Sequence, residues 1–170
     1  HLGTGFLSTG DLLPVLADTG HADVAYDLLF QRSAPSWMYM IDRGATTVWE
    51  DWEGIDGEGV AHESLNHYSK GAVIRFLHTH TLGLRQDADS TAWEAFTIAP
   101  LPGGGVSWAK GHLDTPQGRI RVEWRVEGDE LVVEADIPAG SRATVVFPDG
   151  TTRVVESGAF TGWGGLAAAR

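Results

Sequence analysis

The stretch Ser36-Trp37-Met38-Tyr39-Met40-Ile41-Asp42-Arg43-Gly44-Ala45-Thr46-Thr47-Val48-Trp49-Glu50-Asp51-Trp52 holds three Trp, one Tyr and several carboxylates. Aromatic platforms beside acids suit a carbohydrate site. Indole rings stack on the C–H faces of sugars, and carboxylates accept hydroxyl hydrogen bonds and move protons. A carboxyl set against apolar rings also loses hydration, which favours its protonated form and suits acid–base work. The competing reading is a core of inward-facing Trp with Glu50 and Asp51 solvated at its rim, and the residues by themselves favour it.

A second candidate is Asn66-His67-Tyr68, read as the start of a helix. A His at a helix N-terminus is disfavoured as a cation and can hydrogen-bond a substrate hydroxyl, although a purely structural hydrogen bond is the commoner use. His78 and His80 fall two apart, on different faces of a helix, and do not pair for a metal. The acids Asp51, Glu53, Asp56 and Glu58 lack the register of a calcium loop. Gly103-Gly104-Gly105 lacks the strand–loop–helix context and the Lys-Ser/Thr of a phosphate loop, and reads as a turn.

These residues need a scaffold, and the hydrophobic period supplies one in two halves. The first half is helical. Leu12, Leu13, Val15 and Leu16 suit a helix over 8–16, with Ser8 or Thr9 as its N-cap and Pro14 tolerated in a first turn. Val24, Ala25, Leu28 and Leu29 predict a second helix over 20–30. Residues 35–59 read as irregular, and Leu65, Tyr68, Ala72, Phe76 and Leu77 predict a longer helix over 64–84 stopped by Gly83. A polar boundary at 86–92 follows. Beyond it the period becomes two, predicting strands over 96–99, 106–113, 119–126, 131–135, 143–147 and 152–155. Short strands at this spacing suggest an antiparallel sandwich, with a disordered or lightly packed tail after Gly162.

Composition narrows the function. The chain has 170 residues, 42% hydrophobic and 21% charged, a globular composition. A formal net charge of −11 argues against a nucleic-acid groove and is compatible with a neutral sugar. With no cysteine, a disulfide framework, a thiolate zinc site and a cysteine nucleophile are excluded, while the compartment, cytoplasmic or secreted, is left open. No run reaches the length of a membrane-spanning helix.

In order along the chain, several segments resemble the bacterial α-L-rhamnosidases. They are Thr4-Gly5-Phe6-Leu7-Ser8-Thr9, Leu12-Leu13-Pro14-Val15-Leu16, Pro35-Ser36-Trp37-Met38-Tyr39-Met40 and Gly44-Ala45-Thr46-Thr47-Val48-Trp49-Glu50. Ser64-Leu65-Asn66-His67-Tyr68, Gly71-Ala72-Val73 and Ile98-Ala99-Pro100-Leu101-Pro102-Gly103-Gly104-Gly105 continue the series, which extends to about Pro148.

The resemblance implies a mixed fold, α then β: the last helices of an (α/α)₆ barrel (1–88), a small antiparallel β-sandwich (89–158) and a tail (159–170). It implies release of terminal α-L-rhamnose with inversion, by two carboxyl groups on opposite sides of the anomeric carbon. Glu50 matches the family's general base and His67 a sugar-hydroxyl ligand, with Trp49 and Trp37 as weaker candidates for shaping the pocket. No metal or other cofactor is implied. The expected partners are a rhamnose-containing glycoside and the remainder of the barrel, with self-association through an exposed barrel face and no membrane partner. The chain departs from the family in lacking the Arg-Asp-Glu-Arg-like segment that carries the general acid. It is therefore expected to be the carboxyl-terminal portion of such an enzyme, inactive alone. A carbohydrate-binding or structural module is the alternative, and a complete small enzyme pairing Glu50 with Asp51, Glu53 or Glu63 is a third.

Overall fold

A computed structural model describes residues 1–166 and divides them into two compact units, His1–Phe76 and a second beginning at Leu77. The first unit is helical. Helix α1 (Thr9–Asp18) and helix α2 (Ala22–Leu29) form a hairpin. The turn between them is closed by Thr19, whose backbone N–H and hydroxyl both donate to the Val15 carbonyl, at 3.0 and 2.8 Å. Leu13, Ala25, Tyr26, Leu29 and Phe76 are buried, and Tyr26 meets the Phe76 ring edge-on at 5.4 Å.

For α1 the expected N-cap position holds and the placement of Pro14 is corrected. Pro14 lies in the helix interior and not in its first turn, and Ser8 occupies the N-cap position without a side-chain cap. The Thr9 hydroxyl instead reaches back to the Gly5 carbonyl at 2.9 Å.

Residues 35–59 are less irregular than expected, because Trp37–Asp42 forms helix α3. The buried hydroxyl of Ser36 starts it by accepting the Tyr39 N–H at 3.1 Å. The long helix expected over 64–84 is broken. Helices α4 (Tyr68–Gly71) and α5 (Ile74–Phe76) precede a π-helical turn, Leu77–Thr81. The first residues of that span cannot be helical because their backbone is committed elsewhere: Glu50 N–H donates to Ser64 O, and His67 N–H to Val48 O, both at 2.8 Å.

The second unit is a sandwich of two four-stranded sheets. One sheet contains β1 (Leu84–Gln86), β2 (Ala95–Ile98), β6 (Arg142–Val146) and β7 (Thr152–Val155), in that spatial order. The other contains β3 (Trp108–Thr115), β4 (Gly118–Glu127), β5 (Glu130–Ile137) and β8 (Gly158–Gly165). Alternation on the inner faces closes one core, with Phe96, Ile98 and Val145 from the first sheet and Ile120, Trp124, Leu131 and Val133 from the second. The Trp124 indole N–H donates to the Thr81 carbonyl at 2.8 Å, so that buried polar group is satisfied.

The sandwich is antiparallel except between β2 and β6, which pair in parallel. A parallel pair needs a long crossover. Here β3, β4 and β5, all in the other sheet, provide it. Two further differences concern the ends of the domain. Leu84–Gln86, read as the end of a helix and a linker, pairs with β2 as strand β1. The expected tail begins as strand β8, paired with β5 over its whole length, while 167–170 fall outside the described residues.

Candidate active site around Glu50 and His67

The site residues all lie in the first unit, on two chain segments stitched together like a short hairpin. Besides the two backbone hydrogen bonds that join Glu50 to Ser64 and His67 to Val48, the Thr47 hydroxyl donates to the Leu65 carbonyl at 2.5 Å. This pairing sets Glu50 beside His67, although His67 lies 17 positions further along the sequence. The Glu50 carboxylate and the His67 ring are each about a quarter exposed or less, with Oε1 and Nε2 4.0 Å apart. Glu50 Oε2 accepts the Ser64 N–H at 3.2 Å, which fixes the carboxylate orientation.

Ser69 orients the imidazole. Its backbone N–H donates to His67 Nδ1 at 3.3 Å, and its hydroxyl lies 2.9 Å from the same nitrogen. With Nδ1 accepting, the ring proton sits on Nε2, the nitrogen that faces Glu50. Phe6 and Tyr68 lie against the imidazole at ring distances of 5.0 and 4.8 Å.

Beneath this pair lies Lys70, only 4% exposed. Its ammonium donates to the Glu50 backbone carbonyl and stands over the rings of Trp52 and Phe6, at 4.8 and 5.1 Å. Burial pulls its pKa below the ordinary lysine value, partly offset by the nearby Asp51 and Glu50 carboxylates. The Lys70 carbonyl in turn accepts the Trp37 indole N–H at 2.9 Å, and Trp37 meets Trp52 edge-on at 5.2 Å. A buried lysine side chain set against one indole and one phenyl ring thus anchors the main chain of Glu50.

Residues 1–81 match the bacterial α-L-rhamnosidase six-hairpin glycosidase domain, and residues 83–160 match the bacterial α-L-rhamnosidase C-terminal domain. The chain belongs to the bacterial α-L-rhamnosidase family. It is 39% identical over 152 residues to an α-L-rhamnosidase of Streptomyces avermitilis, covering 87% of this chain and 15% of that protein. An α-L-rhamnosidase of Formosa agariphila is 36% identical over 152 residues, with 87% and 16% covered.

Among solved structures, that of the S. avermitilis α-L-rhamnosidase complexed with L-rhamnose superposes with a TM-score of 0.88 at 34% identity. It covers 96% of this chain and 18% of the other. The native α-L-rhamnosidase of Aspergillus terreus gives a TM-score of 0.90 at 31% identity, over 99% of this chain and 20% of that one. The chain therefore spans less than a fifth of the length of the curated relatives it matches, in the part of the family that joins the glycosidase domain to the C-terminal domain.

Of the four candidate site residues singled out in the sequence, two meet at the surface. Glu50 and His67 are brought together, while Trp49, 1% exposed, and Trp37, 6% exposed, lie below the surface as packing. Gly54 leaves room for Trp49: a Cβ there would stand 3.2 Å from the Trp49 Cβ. Lys70, Ser69, Trp52 and Phe6 were not singled out as site residues. The available signal was Lys70 itself, three positions after His67 in a chain with only two lysines. Asp51, suggested as a partner for Glu50, and Asp56 of the acidic run are engaged elsewhere. Asp51 is exposed and its carboxylate accepts the Glu53 N–H at 3.0 Å, closing a local turn. Asp56 binds His62 at 2.7 Å, and that hydrogen bond is the main cause of its lowered pKa.

Proposed function

We propose that this chain supplies one half of the catalytic site of an inverting α-L-rhamnosidase, with Glu50 as the general base. The observation that carries the reading is the pairing of the Glu50 carboxylate with the His67 Nε2–H across 4.0 Å. That gap is too long for a direct hydrogen bond and suits one bridging oxygen, a water or a sugar hydroxyl. In this reading the carboxylate takes a proton from the water that attacks the anomeric carbon, and His67 donates to a ring hydroxyl and fixes the sugar's orientation. Trp37 and Trp49 shape the pocket from below.

Inversion requires a second carboxyl group to protonate the leaving oxygen, roughly 6.5–9.5 Å from the first. No segment of these 170 residues resembles the family's acid-bearing motif. The acid is therefore assigned to a part of the enzyme outside this sequence, along with the rest of an (α/α)₆ barrel to which the first unit's helices belong. Lacking it costs on the order of 10² to 10⁴ in rate before any loss of binding. The chain alone should accordingly fail to hydrolyse an aryl α-L-rhamnoside. Turnover by the isolated chain that Glu50→Gln abolishes would show instead that both groups lie within it.

A further inference from the structure

The second unit carries a surface that the proposed chemistry does not use. On the sheet β3–β4–β5–β8, alternate residues face away from the core, and the strand register arranges them in transverse rows. One row runs Trp108, Arg125, Val132, Trp163, from one edge strand to the other. The two indoles are 59% and 54% exposed, an unusual state for a side chain that is highly buried on average. The next row is Lys110, Glu123, Glu134 and Thr161, and the one beyond contains His112, Arg121 and Asp136. These two rows line a shallow concavity of about 490 Å³ bordering the Trp row.

We propose that this face binds a neutral oligosaccharide lying across the strands, with its sugar rings on Trp108 and Trp163 and its hydroxyls over the polar rows. The two Trp positions are three interstrand spacings apart, about 14 Å, so the ligand is an extended chain and not a single sugar. Indole faces stack on sugar C–H faces, and the polar rows offer donors and acceptors side by side. The two arginines are already paired. Arg125 is held by Glu127 and Glu134 at 2.6 Å each, and Arg121 lies 3.6 Å from Asp136. Paired in this way, the arginines offer little to an anionic ligand, while the remaining lone pairs and N–H groups of these rows can meet hydroxyls.

A protein partner fits the arrangement less well. Interface cores are depleted of charged residues and centred on aromatics. Here the charges occupy the centre, and the indoles stand at the edges.

The test titrates the chain with a linear rhamnan oligosaccharide and with a dextran oligosaccharide of equal length, followed by calorimetry and Trp fluorescence. The rhamnan choice rests on the rhamnosidase reading; dextran does not. At least one probe should bind. Trp108→Ala and Trp163→Ala should each weaken that binding by roughly two- to tenfold, with Trp108→Phe recovering part of it. Both positions are more than half exposed, and unchanged near-ultraviolet circular dichroism checks that the sandwich persists. In a full-length enzyme, Trp108→Ala should leave aryl rhamnoside hydrolysis unchanged, so failure at this face is separable from failure at Glu50. No response to either probe, or a response that both alanine variants retain, overturns the proposal. So does a dimer that dissociates on Trp108→Ala, because the face would then be a protein interface.

Discussion

Glu50 and His67 are each held by groups that fix an orientation and not merely a location. The Ser64 N–H sets one carboxylate oxygen, and Ser69 sets the imidazole tautomer. Under the proposed roles, His67→Ala in a full-length enzyme loses a hydroxyl hydrogen bond. This should raise KM by about tenfold, the equivalent of roughly 1.4 kcal/mol. Steady-state kinetics on an aryl rhamnoside checks it, and an unchanged KM with a lowered kcat would assign His67 a different role. At this scale the sequence was informative about types and silent about support. The Trp-Glu and Asn-His-Tyr segments named the two residues that meet. Lys70 beneath them left one faint signal, its rarity in a chain with two lysines, because a buried ammonium bonded to a backbone carbonyl leaves no periodic trace.

Elements reveal where local rules gave way to packing. Strand β8 reads as a lightly packed Gly-rich tail, yet Gly162 and Gly164 are glycine where Phe147 fills the space: a Cβ on Gly164 would lie 2.3 Å from the Phe147 ring. The helix expected over 64–84 gave way because its first residues pair with 48–50. Strands β3 to β7, whose alternation is clean, were legible to within two residues at each end.

Gly83 tests the joint between the π-helical turn and β1. It has φ +85°, and a Cβ there would stand 2.3 Å from the Ala99 backbone. Gly20 has φ +86° with open space around it. Both alanine variants incur the left-handed backbone cost of roughly 1–2 kcal/mol, and Gly83→Ala adds a backbone clash. Thermal unfolding should show a modest loss for Gly20→Ala and a much larger one for Gly83→Ala; equal losses would contradict the close approach.

Asp149 ties the β6–β7 turn to β8 by accepting the Thr151 and Gly165 N–H groups, both at 2.7 Å. Those bonds hold its pKa below the ordinary 3.8. A carboxylate with a lowered folded pKa contributes stability that is fully present above that ordinary value and lost as pH falls through the folded one. Asp149→Ala should therefore lower Tm near neutrality. The gap between variant and wild type should close as the pH drops through the acid range, and a gap independent of pH would remove the carboxylate from the account.

For the whole molecule, the two units differ in what they leave exposed. The helical unit presents Phe6, Leu7, Val15, Ile41, Tyr68 and Ile74 to solvent, and apolar surface of this kind, where it is contiguous, marks an interaction face. If the rest of the barrel normally covers it, the chain alone should self-associate with rising concentration in sedimentation velocity. A clean monomer at high concentration would mean that this face is stable in water. The broad plan, helices and then a sandwich, was legible because the hydrophobic period changes from helical to alternating along the chain. The parallel β2–β6 pair was not, since strand order depends on which sheet each strand joins.

The central claim is that Glu50 is the base of an inverting rhamnosidase, and one measurement bears on it most directly. In a full-length enzyme carrying this chain, kcat for an aryl α-L-rhamnoside is compared between wild type and Glu50→Gln, with rhamnose affinity measured alongside. The account predicts a fall in kcat on the order of 10² to 10⁴ with rhamnose binding largely kept. Near-normal turnover in the variant would contradict it.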